Sequence, residues 1–520
     1  MATYNTKQLI EYFSAQMPVS ERGKVLPFEY EDINQLVLDS RQVKKKTLFV
    51  ALKGANYDGR EFIPKAIESG AVAILAETDD MGKNGIITCL FANNKKIPQI
   101  TVYKLAEKLS EFAGEFYGEP SKEMLVVGVT GTNGKTTVTQ LIAQWADLIN
   151  EKSAVLGTIG NGELGKLTPA INTTPSAVDT QGYLANFLSK KVKLVAMEVS
   201  SHGLALGRVK GVDFAATVFT NLSRDHLDFH RTMTKYEQAK WSLFSPLTDK
   251  LAVKSSGKKI INYDDKVGKR WIDKLDDAII VSTLPKNLKN IRQLGKPYVG
   301  VHKIVYHNKG TSIYFDSSFG RGELESRLFG EFNVSNLLLA FCTLLALGFP
   351  FYVLVNTAYH LQPVIGRMEI FKEKNKPTVI VDYAHTPDAL DKALSAAKEH
   401  CTGALWVIFG CGGDRDKGKR PLMAKVAHSY SSHIIVTNDN PRTEDAKMII
   451  NDIMAGFSET KSIKVIQDRK KAIQWAVNHG DENDIILVAG KGHEEYQIIG
   501  QKKYRYSDRK VVSQLLGITL

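Results

Sequence analysis

The chain is poor in cysteine: Cys89, Cys342, Cys401 and Cys411 are the four among 520 residues. They lie far apart and form no CxxC pair, which argues against a disulfide scaffold or a thiolate zinc module and points to a reduced, cytoplasmic setting. Long hydrophobic runs are equally scarce. The N-terminal stretch MATYNTKQLIEYFSAQM has no apolar core of the secretory kind. A single stretch, Leu337 to Val355, invites a membrane reading, but Gly348 and Pro350 interrupt it. Its first part follows Asn333 and Asn336 and reads as a buried core helix, so no membrane insertion is expected. Concentrated basic tracts are missing too. Lys44–Lys46, Lys95–Lys96 and Lys258–Lys259 are short, scattered and without neighbouring stacking aromatics, so they read as solvated faces and no nucleic-acid partner is expected. Neither an internal repeat nor a low-complexity tract is present.

What is there is ordinary globular composition, with 43% apolar and 24% charged residues. That excludes a disordered, collagen-like or coiled-coil protein. Lys and Arg number 68 against 56 Asp and Glu, a net charge of +12. The surplus favours anionic partners without choosing among nucleic acid, nucleotides and acidic metabolites. At about 100–200 residues per domain the length implies two to four domains.

Three textures divide the chain. Residues 1–104 carry short β-like runs at Leu36–Leu38, Leu48–Leu52 and Ala71–Leu75, before a helical stretch from Lys104 to Tyr117. A second segment, 105–361, holds apolar runs typical of buried parallel strands at Leu125–Val129, Leu194–Met197 and Ala215–Phe219. A third, 362–520, alternates strands at Val379–Tyr383, Leu405–Phe409, Ile434–Thr437 and Ile485–Val488 with helical patterns such as Asp388–Glu399 and Glu444–Phe457. Such alternation predicts an α/β fold with parallel sheets in the second and third segments.

The strongest chemical signal is GVTGTNGKTT, Gly128 to Thr137, between a buried strand and a helix start. Backbone N–H groups there can surround phosphates, with the helix N-terminus adding a favourable dipole. Lys135 would reach the β- and γ-phosphates, and the Thr136 hydroxyl a Mg²⁺ ion. Val129 stands where the general phosphate loop has its first glycine. Glu198, in MEVSSHG, ends an apolar strand, where a carboxylate can meet Mg²⁺ or simply be solvated. His226, in NLSRDHLD, reads as a metal ligand or a satisfied polar residue. Lys240, in YEQAKW, reads by itself as an exposed helical lysine. Three loops of the third segment, GCGGDRD (410–416), TNDNPR (437–442) and AGKGHE (489–494), follow strands. Turn chemistry explains each one, but three charged loops on one rim favour shared ligand binding.

Together these residues resemble the Mur ligases, ATP-dependent amide-forming enzymes of peptidoglycan synthesis. The phosphate loop alone also suits folylpolyglutamate synthases. Leu38-Asp39-Ser40-Arg41, Leu48–Gly54 and Asp58-Gly59-Arg60 look like the uridine-binding domain of the Mur enzymes that add the third residue or the final dipeptide. Asn172-Thr173-Thr174-Pro175, the MEVSSHGL run and GCGGDRDKGKRP are similar to the third-residue branch, and Asp439-Asn440-Pro441-Arg442 to members using meso-diaminopimelate; lysine-adding relatives generally lack that arginine.

The resemblance implies three α/β domains: 1–104 binding the UDP-sugar, a P-loop-like 105–361 binding ATP, and a Rossmann-like 362–520 binding the amino acid. It implies that Gly131, Thr132, Asn133, Gly134, Lys135, Thr136 and Thr137 bind ATP. Thr136, Glu198, His226 and a carbamylated Lys240 would hold Mg²⁺; Lys135, Glu198, His226 and Lys240 form the implied catalytic set. Ser40, Thr173, Thr174, Ser200 and Arg208 would hold UDP-N-acetylmuramoyl-L-alanyl-D-glutamate. Arg415, Asp439, Asn440, Pro441, Arg442, Gly490 and Glu494 would hold diaminopimelate. The protein would act as a monomer. Rival expectations are the same ligase using L-lysine, or a nucleotide-binding regulator without catalysis. Three positions depart from the usual family pattern: Lys46-Thr47 for Gly-Asp, Leu206 for Gln, and Arg231 for Gly.

Overall fold

The computed structural model describes residues 4–14, 28–54, 57–92, 95–245, 257–307, 310–328, 330–458 and 463–519. Residues 1–3 and 15–17 of the N-terminal stretch lie outside the described residues. The chain divides into two compact units, one of 1–128, 152–215 and 239–257, the other of 129–151, 216–238 and 258–520.

In the first unit a five-stranded sheet runs in the order Gln35–Val37, Thr47–Ala51, Ala71–Thr78, Lys95–Tyr103, Ile87–Ala92. Three pairings are parallel and the last is antiparallel. The three expected strands are there, and the 87–103 hairpin is additional. Pro98 hid it, since proline removes a ladder donor. Pairing with Ala71–Thr78 begins only at Gln99, so Pro98 has a strand neighbour on one side alone. The helix Leu105–Phe116 buries Leu105, Leu109, Phe112, Ala113 and Phe116, one apolar stripe at helical spacing. Phe112 packs against Tyr4, Tyr12 and Phe13 at ring distances of 5.0 to 6.3 Å. The same unit holds strands in the order Asn161–Gly162, Ser153–Leu156, Leu194–Glu198, then the first part, to Gly128, of the strand Leu125–Thr130. Leu194–Glu198 is buried along its whole length, which is why it reads as an unbroken apolar run.

In the second unit Ala216–Phe219, Lys258–Asn262, Ala278–Ser282 and Tyr298–His307 pair in parallel. Gly310–Ser317 and Gly320–Ser326 extend them antiparallel. The expectation of a parallel sheet is thus too simple: 298–326 is a meander, with Thr311, Ile313 and Phe315 turned inward at period two. The helix Glu331–Ala346 is buried on nearly every face and ends before Gly348, whose φ is +91°. A separate helix, Phe351–Thr357, follows Pro350. Among the described residues no helix is long and apolar enough to cross a membrane.

A six-stranded sheet completes this unit in the order Glu369–Phe371, Thr378–Asp382, Ile485–Ala489, Leu405–Phe409, His433–Val436, Ile463–Val465. All pairings but the first are parallel. The strand Ile485–Ala489, the last of this sheet along the chain, inserts between Thr378–Asp382 and Leu405–Phe409. The chain order therefore reverses there, the point at which open α/β sheets form ligand crevices beyond their carboxyl ends. Tyr383–His385, Gly410–Asp416, Thr437–Arg442 and Gly490–Glu494 all leave the sheet at those ends.

Two of the family departures fall on special backbone. Lys46 has φ +62° and Arg231 φ +67°, a region where glycine carries no Cβ penalty.

Candidate active site

The strand Leu125–Thr130 leads into a loop that ends where the helix Lys135–Leu148 starts. Two glycines are required by close approach. At Gly131 (φ +150°) a Cβ would stand 1.9 Å from Thr220 Oγ1, and at Gly134 (φ +86°) 2.4 Å from Asn336 Oδ1. The segment Thr220–Ser223 braces the loop: Asn133 N donates to Asn221 Oδ1 (3.0 Å), Ser223 N to Thr132 Oγ1 (2.9 Å) and Thr220 Oγ1 to the Asn133 carbonyl (2.6 Å). The Thr132 hydroxyl also lies 3.1 Å from Tyr236 Oη. Lys135 Nζ folds back over this loop and donates to the Gly131 and Thr132 carbonyls, both at 2.9 Å. The hydroxyl of Thr136 accepts from Arg367 Nη2 at 3.1 Å.

A cavity of about 450 Å³ adjoins the loop, lined among others by Asn133, Gly134, Asn336, Arg367, His385 and Lys392. Reading the sequence missed Asn336, Arg367, Asp382 and His385. Asp382 had the signal used for Glu198, a carboxylate ending an apolar strand. It accepts from Ala384 N (2.8 Å) and Met368 N (2.7 Å); burial raises its pKa, against the pull of Arg367. Burial, with Lys419 nearby, lowers the pKa of His385 to about 4. The guanidinium of Arg367 lies 4.3 Å from the Tyr383 ring centre, and its buried Nε has no hydrogen-bond partner among the described residues. A desolvated, unspent cationic donor beside a phosphate loop suits an anion.

His226, the residue before the short helix Leu227–His230, has φ +54°. Its Nε2 lies 3.4 Å from Asp225 Oδ2 and its ring 6.0 Å from that of Tyr236.

In the first unit, Glu198 is 1% exposed, so the solvated reading does not hold. Its Oε1 accepts from Thr158 N (2.7 Å), and the Thr158 hydroxyl lies 3.1 Å from both Glu198 Oε2 and Thr173 Oγ1. Thr174 Oγ1 lies 2.9 Å from the Glu198 carbonyl and 3.0 Å from Ser200 Oγ, and Arg208 Nη1 donates to the Thr174 carbonyl (2.8 Å). One network thus gathers Glu198, Thr173, Thr174, Ser200 and Arg208. Gly157 makes room for it, since a Cβ there would stand 2.4 Å from Glu198 Oε1. Ser40, buried at the start of the turn Ser40–Gln42, is not among the bonded residues of that network. Lys240 is 1% exposed, which overturns its plain reading as a surface lysine.

On the rim of the six-stranded sheet the glycine loop and the Asn438–Arg442 loop touch backbone to backbone. A Cβ on Gly413 would stand 1.9 Å from the Pro441 carbonyl. Arg442 (φ +52°) donates from Nη1 to the Gly413 carbonyl at 2.8 Å, so it neither caps a helix nor simply faces solvent. Arg415 is exposed and its charge lies close enough to help depress the Arg442 pKa, after burial. Asn440 Nδ2 donates to Glu494 Oε2 (3.0 Å), while a Cβ on Gly490 (φ +116°) would crowd Asp439 Oδ2 at 2.6 Å. Beneath the rim the buried pair Arg469–Asp508 (2.7 Å) ties down the 437–442 and 489–494 loops: Arg469 also donates to the Ala489 (2.8 Å) and Asn438 (3.4 Å) carbonyls.

Comparison with known proteins decides the lineage. The Mur ligase family catalytic domain matches residues 32–117, the Mur ligase middle domain 129–344, and the Mur ligase glutamate ligase domain 366–492. A relative from Haemophilus influenzae (strain 86-028NP), UDP-N-acetylmuramoyl-L-alanyl-D-glutamate--2,6-diaminopimelate ligase, is 50% identical over 485 residues, 93% of this chain and 96% of the relative. The chain belongs to the Mur ligase family. A solved structure of an enzyme with that same name is 32% identical, with a TM-score of 0.63 over 94% of this chain and 95% of the other. Folylpolyglutamate synthase of Mycobacterium tuberculosis shares the fold at 16% identity, with a TM-score of 0.56 over 74% of this chain and 92% of the other.

Among the described residues no three His, Cys, Asp or Glu side chains gather as a metal cage. Mg²⁺ commonly takes one or two carboxylates and fills its shell with phosphates and water. The buried carboxylate of Glu198 and the hydroxyl of Thr136 are donors of that kind.

Proposed function

We propose that the chain is an ATP-dependent, ADP-forming ligase that joins meso-2,6-diaminopimelate to UDP-N-acetylmuramoyl-L-alanyl-D-glutamate in cytoplasmic peptidoglycan precursor synthesis. The observation that carries this reading is the 50% identity, over 93% of the chain, to a relative bearing that name. The Asp439–Arg442 motif and the inward Arg442 guanidinium support the choice of amino acid.

The D-glutamate γ-carboxylate attacks the γ-phosphorus of ATP, ADP departs, and an acyl phosphate forms. An amine of diaminopimelate then attacks the acyl carbon, loses a proton and expels phosphate. Both reactants of the first step are anions, so charge neutralisation is the main requirement. Lys135 exchanges its loop carbonyls for phosphate oxygens, and Arg367 turns its unspent Nε to the same group. Mg²⁺, when bound, neutralises phosphate charge; Thr136, Glu198, His226 and the carbamate of Lys240 are its assigned protein donors. Ser40, Thr173, Thr174, Ser200 and Arg208 hold the nucleotide dipeptide. Arg415, Asp439, Asn440, Pro441, Arg442, Gly490 and Glu494 hold the amino acid. The roles divide among segments 1–104, 105–361 and 362–520, in one monomer.

Phosphate release and product mass, measured with the nucleotide dipeptide, ATP and a panel of amino acids, test the reading. Turnover should require diaminopimelate; equal turnover with L-lysine, or none with any amino acid, would refute it. Carbamylation has its own test. Lys240→Ala should lose most activity and regain part of it with a short-chain carboxylate, whereas full activity in the unsupplemented variant would remove the carbamate from the site.

A further inference from the structure

Lys491 sits in the middle of the AGKGHE loop yet has no exposed surface, a rare state for a lysine unless it is paired. Its ammonium spends its three protons on Asn440 Oδ1 (2.9 Å), Glu494 Oε2 (3.0 Å) and the Tyr496 carbonyl (2.8 Å). Asp439 Oδ1 lies 3.9 Å away. Asn440 Oδ1 takes a second donor, Ile498 N, at 3.0 Å. The amide of Asn440 therefore has a fixed orientation: its oxygen faces the ammonium, and its NH₂ faces Glu494. Glu494 Oε2 in turn receives both the ammonium and that NH₂. One buried cation thus holds Asn440 and Glu494 in register and balances the charge of the Glu494 carboxylate.

We propose that Lys491 is the positioning residue that makes this rim selective for an amino acid bearing a second carboxylate. The inference rests on the assignment of Arg415, Asn440, Arg442 and Glu494 to the amino acid. Charge arithmetic supports it. Among the residues assigned to the amino acid, Arg415 and Arg442 are cationic and Asp439 and Glu494 anionic, so that set is balanced until Lys491 adds one positive charge in excess. An amino acid poised to attack has one neutral amine. Diaminopimelate in that state carries one net negative charge, and L-lysine carries none. The excess cation matches the dicarboxylate. Removing the Lys491 charge cancels the excess and leaves Glu494 without its buried counter-ion, which favours the ammonium that both amino acids share.

Steady-state kinetics of the full chain, with the nucleotide dipeptide, ATP and each amino acid in turn, test this. Lys491→Gln keeps hydrogen-bond donors and loses the charge; Lys491→Met loses both. In Lys491→Gln the KM for diaminopimelate should rise about 10²-fold, as truncating one partner of a buried charge pair typically does. The kcat at saturation should stay within about threefold, the KM for ATP should hold, and the diaminopimelate-to-lysine ratio of kcat/KM should fall by about tenfold or more. Lys491→Met should show at least the same loss of ratio. A ratio unchanged in folded Lys491→Gln, or a fall in kcat with both amino-acid KM values unmoved, would overturn the proposal. Failure of the wild type to use diaminopimelate would instead overturn the assignment beneath it.

Discussion

The phosphate loop and the amino-acid rim both carry clustered charge, but they hold it differently. Around Gly131–Thr137 the cations are held in reserve. Lys135 rests on carbonyls of its own loop, and Arg367 keeps an unspent Nε. On and beneath the rim the buried cations are already spent on carboxylates: Lys491 on Glu494 at 3.0 Å, and Arg420 on Glu444 and Asp452 at 3.0 and 2.8 Å. A carbonyl contact is easily exchanged for a phosphate, so the first region is arranged to gain charge interactions as the reaction proceeds. The second is preorganised, so its cost of ordering is met in folding and not on binding. Changes in the loop should therefore strike rate, and changes on the rim should strike selectivity.

The largest effect should come from Lys135→Ala. Loss of one electrostatic donor to a transferring group costs about 10²–10³ in rate, and the thermal midpoint should move little, because the Lys135 ammonium rests on carbonyls of its own loop. Single-turnover kinetics and a melt read both; a normal rate would erase the contrast between the regions. Next is Gly413→Ala. Its Cβ would meet the Pro441 carbonyl at 1.9 Å, so the glycine loop and the Asn438–Arg442 loop must separate, at a cost of about 1–3 kcal/mol. The KM for the amino acid should rise while that for ATP holds; an equal rise in both would show that the rim is not an independent device. The smallest effect is a gain. Arg231→Gly relieves a φ of +67° and should stabilise the protein by about 1 kcal/mol, read as a higher midpoint in denaturant. A lower midpoint would mean that the arginine side chain compensates its backbone.

Much of the architecture could be read along the chain, because buried parallel strands leave unbroken apolar runs. Leu405–Phe409 and Ile485–Val488 are of this kind, and the observed strands begin where those runs do. What escaped were elements with mixed signals: the 87–103 hairpin, masked by Pro98, and the 298–326 meander, whose alternation breaks at the bulge between Val301 and Lys303. The phosphate loop could be found because its glycines, lysine and threonines are contiguous. Arg367, Asn336 and His385 could not, since only folding gathers them around one cavity. Burial was the other blind spot. Glu198, Lys240 and Lys491 are residue types that usually face water, and nothing in their neighbours along the chain announces that each is enclosed.

The central claim is that the rim selects a second carboxylate through a fixed cationic fork, and kcat/KM for meso-diaminopimelate and for L-lysine, in wild type and in Arg442→Ala, tests it most directly. Arg442 is half-buried against the Gly413 carbonyl, and a planar guanidinium can grip a carboxylate with two parallel bonds. Sites built around such a group reject analogues lacking it by about 10⁴–10⁵. The account predicts discrimination on that order in the wild type and its collapse in Arg442→Ala, with lysine use little changed. Comparable use of both amino acids by the wild type, or full selectivity in the variant, would contradict it.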